Sequence, residues 1–315
     1  MNSPIRPVLI LLAIFACTPL RDLTAGISSD HGDAPGFWKD HSVIIGKVEK
    51  VTRTAVPFEG GVTQGDTILQ LTPLGTLSGP FDGSVSAKIE AATAIRAFGS
   101  ALKHAPKVGN VVLAAIWQTT TGERNFVIGG GLADYMRPSG INLIPLSGFA
   151  DPSILDCLNM IRKVRRHSKG SSDERVKSDA LGFWSSHSLI YGTIKARSMR
   201  NEEVDASIEF QTVARLAGEM DPGVVDSVDA HVNLKKLAMR STDIPTHGNA
   251  IVLLEGKEGS YVVASERAAF MPGDRTPIFS VKDFADPTIA ETLKKIRDLR
   301  AKEQEKIGGK REKRD

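Results

Sequence analysis

Two pairs of aromatic and imidazole side chains are the residues of this sequence best suited to binding a ligand. Trp38 precedes His41 by three positions, and Trp184 precedes His187 by the same spacing. An indole can stack on a flat ligand, and an imidazole can exchange a proton or ligate a metal. All four residues are therefore ligand-binding candidates. The competing interpretation, which we favour, is that these rings close one end of a folded unit, with the imidazole hydrogen-bonded to backbone.

A metal site is the first chemical alternative. It could draw on four donors in or near the first pair: His31, Asp33, Asp40 and His41. Around the second pair, a serine stands in place of Asp40 and His31 has no counterpart. A metal site usually needs three or four convergent ligands, so we predict neither a metal nor a cofactor.

The familiar catalytic motifs do not occur in the sequence. We find no G-x-S-x-G elbow, no H-E-x-x-H, no P-loop and no dinucleotide-binding fingerprint. The glycines at 129–131 follow a predicted strand but no capped helix comes next, which favours a bulge or loop. We therefore assign no catalytic residue, and the pattern is more typical of a binding protein than of an enzyme.

The two Trp-x-x-His pairs belong to a tandem duplication. The string Gly-Phe-Trp-x-x-His-Ser begins at Gly36 and again at Gly182. Three later landmarks also recur: 84–87 with 227–230, 109–110 with 248–249, and 149–152 with 284–287. The sequence therefore predicts two homologous domains.

Each copy reads mostly as β-strand and ends in a helix. The segments 42–51 and 188–195 are rich in β-branched residues, and each copy has a later hairpin pattern. Asp151 and Asp286 are suited to cap a helix, with proline at the first helical position. Apolar residues then recur at helical spacing in both copies. The alanine-rich segment 85–104 predicts a further short helix.

The resulting domain map has six parts. They are a signal peptide at 1–25 (or a lipoprotein signal at 1–16), a flexible lead-in at 26–35, a first barrel-like repeat at 36–166, a linker at 167–181, a second repeat at 182–302, and a charged disordered tail at 303–315.

The N-terminus predicts export. Arg6 precedes the uninterrupted apolar run 8–16, which is too short to span a bilayer and is typical of a signal peptide. Cleavage before Gly26 would release the protein, whereas lipidation of Cys17 would anchor it. Either route leads to an extracytoplasmic location, secreted, periplasmic or lipid-anchored. Beyond the leader the sole cysteine is Cys157, so no intramolecular disulfide can form.

The charge distribution argues against a nucleic-acid partner. The chain has 40 Lys and Arg against 37 Asp and Glu, but positions 300–315 hold seven of the basic and four of the acidic residues. Without them 33 of each remain. The excess of positive charge therefore lies in the tail and not in a phosphate-binding groove.

The order of strands, hairpin and closing helix resembles the small secreted OB-like barrels of the netrin-module and metalloprotease-inhibitor group. The residues that carry this resemblance are 43–48, 109–128 and 151–166, and then 189–194, 248–263 and 286–300. It implies a mainly β (α+β) fold of two homologous small OB-like β-barrels, each followed by an amphipathic helix. Inhibition of metalloproteases does not carry over, because the family's inhibitors use an N-terminal cysteine in disulfides that cannot form here.

These observations favour an exported, non-enzymatic tandem-repeat protein that binds a protein or glycan at the cell envelope. Two alternatives stay open. One is a metal-assisted hydrolase with its site between the repeats. The other is a pair of OB-type barrels that binds an oligosaccharide or a nucleic acid.

Overall fold

The computed structural model describes residues 38, 40–57, 63–97, 106–118, 126–128, 143–148, 151–167, 182–201, 204–257, 260–264 and 277–311. The predicted leader and lead-in, with His31 and Asp33, lie outside these residues, as does the predicted linker from 168 onward.

The first copy forms a closed barrel. Its strands are β1 (His41–Pro57), β2 (Thr63–Ser78), β3 (Ile89–Ala97), β4 (Val111–Gln118) and β5 (Phe126–Ile128). Around the barrel the order is β1-β2-β3-β5-β4, and β4 returns to β1. Only the β3–β5 pairing is parallel among these strands. This is the five-stranded Greek-key barrel of the OB type. A further strand, β6 (Leu143–Pro145), pairs with β4.

The second copy repeats this topology strand for strand. Its strands are β7 (His187–Asn201), β8 (Asp205–Gly218), β9 (Ser227–Asn233), β10 (Gly248–Lys257), β11 (Ser260–Val263) and β12 (Ile278–Ser280). β9 and β11 pair in parallel, β10 closes the barrel on β7, and β12 pairs with β10. The predicted fold of two OB-like barrels is therefore confirmed.

A helix follows each barrel, as predicted. α1 (Pro152–His167) follows the first barrel, and α3 (Pro287–Arg311) follows the second, while a single turn, α2 (Leu234–Leu237), lies inside the second barrel's connection between β9 and β10. A 3-10 turn at Gly182–Ser185 leads into β7, and another lies at Ser241–Asp243. The apolar stripes of the two long helices are fully buried at equivalent positions: Ile154, Leu158 and Ile161, and Ile289, Leu293 and Ile296.

The predicted caps of the long helices are present. Asp151 Oδ1 accepts a hydrogen bond from the backbone N–H of Ser153 at 2.9 Å, and Asp286 Oδ1 accepts one from Thr288 at 3.0 Å. Burial acts to raise the pKa of each carboxyl, but these hydrogen bonds from backbone outweigh it and leave both pKa values below the ordinary value. The ionised caps therefore stabilise the first turn of α1 and α3.

Three sequence predictions are wrong. The alanine-rich segment 85–104 contains the strand β3, because Ile89 and Ala91 alternate into the barrel around the exposed Glu90. The match of 84–87 with 227–230 is also displaced. Leu71 and Phe210 occupy equivalent places in the two barrels, and they pair with Ile89 and Val228, respectively. Ile89 is therefore the counterpart of Val228. Finally, the disordered tail predicted from 303 is helical through Arg311, since residues 301–306 are strong helix formers.

Among the described residues, the buried apolar side chains form three clusters. One fills the first barrel, around Ile44, Leu71 and Val112, and another fills the second barrel, around Ile190, Phe210 and Val252. The third lies between the barrels and combines outward-facing strand residues of both with the buried faces of α1 and α3. The two domains therefore share one continuous apolar interface, and each strand near it is covered on both faces.

Candidate functional site

The two barrels meet around a pseudo-two-fold axis. Ile44 and Ile190 occupy the same place in the repeated strings, and they pair with Thr76 and Arg215, respectively. Thr76 and Arg215 are therefore equivalent positions, and they also pair with each other in an antiparallel bridge between β2 and β8. A contact between equivalent residues is the mark of a two-fold interface. The axis passes close to this pair.

Both candidate tryptophans lie at this interface. Trp38 and Trp184 are each 7% exposed, and both belong to the shared apolar cluster. The guanidinium of Arg165, on α1, lies 5.1 Å from the centroid of the Trp38 ring, and that of Arg300, on α3, lies 5.3 Å from Trp184. These distances are those of cation–π contacts. The two tryptophans are thus equivalent and buried, each under an arginine of its own domain's helix.

The same two arginines cross to the opposite barrel. Arg165 Nη1 lies 2.8 Å from Asp221 Oδ2 in the second barrel, and Arg300 Nη2 lies 3.0 Å from Asp82 Oδ2 in the first. Each helix therefore links the tryptophan of its own domain to a carboxylate of the other. We call these two Trp–Arg–Asp arrangements the crossed bridges.

One turn before the crossed bridges, a second pair of arginines holds the opposite barrel by its backbone. Arg162 Nε donates to the carbonyl oxygen of Pro222 at 3.0 Å, and Arg297 Nη1 donates to that of Gly83 at 3.2 Å. Arg162 is almost fully buried and also pairs with Asp226 at 2.5 Å. Because the cation–π contact, the ion pair and the contact with a carbonyl oxygen each occur once from each helix, the interface resembles that of a homodimer held in one chain.

Asp221 is the electrostatic centre of one crossed bridge. Burial acts to raise the pKa of its carboxyl, but the charges of Arg165 and Arg215 and a 3.0 Å hydrogen bond from the backbone N–H of Gly79 lower it below the ordinary value. Arg215 in turn donates to the carbonyl oxygen of Gly79 at 2.6 Å. Asp221 is therefore an ionised, fully engaged anchor, and these contacts are structural.

His187 has the surroundings of a structural residue. It is buried, its Nδ1 lies 3.0 Å from the carbonyl oxygen of Phe183, and its ring stacks on the Phe183 ring at 3.9 Å between centroids. Ser186 Oγ lies 3.0 Å from the same nitrogen. This is the backbone-bonded imidazole that the structural interpretation anticipated for both copies.

His41 is placed differently. Its Nδ1 lies 2.6 Å from Asp40 Oδ1, and its ring is parallel to that of Trp117, with centroids 5.6 Å apart and an interplanar angle of 1°. The Trp117 indole N–H donates to Asp40 Oδ2 at 2.9 Å. Unlike the other two tryptophans, Trp117 is 40% exposed. The first barrel therefore carries an ordered polar and aromatic cluster at its surface.

The structure separates the four sequence candidates into two groups. Trp38 and Trp184 share the interface between the barrels, whereas His41 and His187 each contact an aromatic ring of their own domain. Sequence reasoning missed Trp117, which lies outside the repeated string and has Glu255 as its counterpart. It also missed the arginines of α1 and α3, although their equal spacing from the helix caps could have identified them.

The described residues contain neither a metal-binding cluster nor a membrane-spanning helix. No group of three or more His, Cys, Asp or Glu side chains there is arranged to hold a metal ion. None of the helices in the same part of the chain has the length and apolarity needed to cross a membrane.

Comparison with known proteins gives no family assignment. No family model matches the chain, and neither does any curated protein. Among solved structures, the chain is similar to the single-stranded DNA-binding protein from Thermus aquaticus, with 11% identity, a TM-score of 0.20, and coverage of 71% of this chain and 88% of that one. A deletion mutant of the same protein gives a TM-score of 0.19, with coverage of 71% and 90%. The assignment of the barrels rests on their strand order.

Proposed function

We propose that this chain is an exported, non-enzymatic interaction protein in which two OB-type barrels form one rigid unit that binds a protein or glycan at the cell envelope. One observation carries the proposal. The faces that bear the Trp-x-x-His strings hold the barrels together through Trp38, Trp184 and the crossed bridges. A binding role then falls to the outer surfaces of the paired barrels.

The packing between the barrels weighs against the alternative of a hydrolase with its site there. That space is filled by apolar side chains of both domains, including Leu77, Leu216 and Ile161, all at most 1% exposed. A hydrolytic site needs a concave pocket with converging polar groups and access for water. The interface is a core, and its charged groups are paired across it.

The outer surface of the second barrel weighs against the nucleic-acid alternative. In OB folds the second and third strands form the face that receives oligonucleotides and oligosaccharides. On β8 and β9 the residues between the buried positions include Asp205, Glu209 and Asp229, of which the last two are exposed. Carboxylates on that face would repel phosphate groups.

A chain shortened to end at Lys302 tests the nucleic-acid alternative. It loses most of the basic tail and keeps both barrels. We expect its binding to single-stranded DNA or RNA to be negligible at ~150 mM salt, and the full chain to bind weakly with a shallow salt slope. Micromolar or tighter binding by the shortened chain would show that the barrels themselves carry a nucleic-acid site.

Export and kinship with the netrin-module group belong to the same proposal. The leader supports export, and the succession of barrel and closing helix in both domains supports the kinship, without its inhibitory activity. Mass spectrometry of protein purified from its host should find Gly26 or a diacylated Cys17 at the N-terminus. An intact Met1 on cytoplasmic protein would contradict export.

Site-specific photocrosslinking in the host tests the interaction role. A photoreactive amino acid at Ser207, on the outer face of β8, or at Gln118, at the end of β4, should give discrete adducts with an envelope component. The matched control is the same label at Ile161, which is buried in the interface. Absence of discrete adducts from both surface positions, with normal export, would contradict the proposed function.

A further inference from the structure

Asp40, His41 and Trp117 form an exposed, ordered surface on the first barrel, which we call the tryptophan platform. Asp40 uses one carboxylate oxygen on the indole N–H and the other on His41 Nδ1, at 2.9 and 2.6 Å. The His41 ring lies parallel to the indole. About half of the Asp40 side chain is exposed, whereas His41 is largely covered. The indole therefore has a fixed orientation while 40% of the residue faces solvent.

The strand register builds the platform into the barrel. His41 pairs directly with Trp117 across β1 and β4, and the backbone N–H of Gln118 donates to the carbonyl oxygen of Asp40 at 2.9 Å. Directly opposed residues on antiparallel strands bring their side chains into contact on one face. Because the ring is already ordered, a ligand that covers it does not have to restrict its rotation further.

The chemistry of the platform selects a cation. An indole face is electron-rich, and an ionised carboxylate beside it only accepts hydrogen bonds. The complementary group carries positive charge and only donates, which describes an ammonium or a guanidinium. A phosphate would be repelled by Asp40. The hydroxyls of a neutral sugar could donate hydrogen bonds to the carboxylate, but a cation gains the charge–charge attraction and the contact with the ring quadrupole as well. We propose that the tryptophan platform binds a lysine or arginine side chain of a partner protein.

The second barrel lacks an equivalent platform. There Ser186 stands in place of Asp40, Glu255 faces His187 where Trp117 faces His41, and the Phe183 ring covers the imidazole. Within the part of the chain that the structure describes, the first barrel therefore carries this site and the second does not. This inference rests on the proposed function, since it names the surface and the chemistry through which a partner protein would bind.

A solution test uses the indole N–H resonances of the three tryptophans. Titration with N-acetyl-arginine amide at millimolar concentration should shift the Trp117 resonance and leave those of the buried Trp38 and Trp184 in place. Methyl glucoside and acetyl-aspartate amide serve as the neutral and anionic probes. If the sugar shifts Trp117 and the arginine derivative does not, the site takes a glycan and the proposal is overturned. If none of the three probes shifts it, the proposal is also overturned.

Variants make the test specific. Asp40→Asn should weaken binding of the arginine derivative about two- to fivefold, because the charge beside the ring is lost. Trp117→Phe keeps an aromatic face but loses the hydrogen bond to Asp40. Its binding, followed through the resonances of the phenyl ring, should be about two- to fivefold weaker. Glu255→Gln, at the equivalent place in the second barrel, is the matched control and should bind like the unaltered chain. Equal affinity in all three variants would contradict the assignment.

Photocrosslinking in the host separates failure of this inference from failure of the proposed function. A label at Gln118 reports on the platform, and a label at Ser207 reports on the other barrel. The expected result is a protein adduct at Gln118 that Trp117→Ala abolishes and Glu255→Ala does not. An adduct at Ser207 with none at Gln118 would support the proposed interaction role but contradict binding at the platform. Absence of adducts at both positions would contradict both the proposed function and the platform.

Discussion

The two barrels repeat one set of contacts where they touch each other and differ at the start of the first strand. Each contributes a buried tryptophan, an arginine above it and a carboxylate for the other domain's arginine. At the start of the first strand, however, His41 lies beside an exposed Trp117, and His187 lies under Phe183 opposite Glu255. The difference shows which part of the repeated motif serves assembly and which part is available for binding.

The physical reason for this division lies in the symmetry of the interface. A residue on a pseudo-two-fold interface packs against a near copy of its own surroundings, so a change in one copy must be accommodated by the other. Residues at the rim have no such restriction. The two buried tryptophans and the arginines of α1 and α3 appear in both copies, whereas at the rim Trp117 is replaced by Glu255.

The largest expected effect comes from the buried tryptophans. Trp38→Ala and Trp184→Ala should each lower the free energy of unfolding by ~3–5 kcal/mol, because each removes a large side chain from the shared core and uncovers an arginine. Urea unfolding followed by circular dichroism measures the loss. Equal losses would support equivalent roles. A loss well under 1 kcal/mol in one variant, with loss of ligand binding, would instead make that tryptophan a surface residue.

The crossed bridges should rank next. Asp221→Ala leaves Arg165 and the buried Arg215 without their carboxylate, and we expect a loss of about 3 kcal/mol. Asp82→Ala should cost less, because Asp221 lies near a second arginine, Arg215, whose equivalent in the first barrel is the uncharged Thr76. The double variant Asp221→Ala with Arg165→Met should recover part of the loss. Additive losses would show that the bridge is not a coupled pair.

Acid should weaken the interface through Asp221. The pKa of its carboxyl is lowered in the folded protein from the ordinary value of 3.8. A group with a depressed folded pKa contributes stability above its unfolded pKa and loses that contribution as the pH falls through the folded value. The loss is therefore expected below about pH 4. Unfolding measured between about pH 7 and pH 3 should show a weaker pH dependence in Asp221→Asn than in the unaltered chain.

Residual acid sensitivity in that variant has a defined source. The helix caps Asp151 and Asp286 also have lowered pKa values, so Asp221→Asn should reduce the pH dependence without abolishing it. Identical curves for the variant and the unaltered chain would show that Asp221 does not contribute.

The sequence was sufficient to predict two barrels, each followed by a helix. The repeated strings, the hairpin patterns and the capped apolar stripes are local features, and each predicted its element. Alanine-rich β3 misled because small residues favour a helix by propensity, while cross-strand pairing decided the outcome. The end of α3 misled in the opposite direction: charge and Gly308-Gly309 suggested disorder, but residues 301–306 are good helix formers and the helix continues through Arg311.

The contacts between the two barrels could not be predicted from local sequence patterns. Arg162, Arg165, Arg297 and Arg300 lie on or beside the apolar stripes of their helices, although arginine usually faces solvent. Their partners are carbonyl and carboxylate oxygens of the other domain, far away in the chain. The platform could not be predicted for the same reason, because His41 and Trp117 become neighbours only through the β1–β4 register.

The smallest expected effect on stability comes from Trp117. Its ring is 40% exposed, against 7% for Trp38, and its side chain packs at the barrel surface on a single imidazole. Trp117→Ala should therefore lower the free energy of unfolding by about 1 kcal/mol or less, the usual range for a surface change. Glu255→Ala, at the equivalent place, should be equally mild. A loss near that of Trp38→Ala would mean that the Trp117 ring is part of the core, and the contrast between an interface tryptophan and a binding tryptophan would fail.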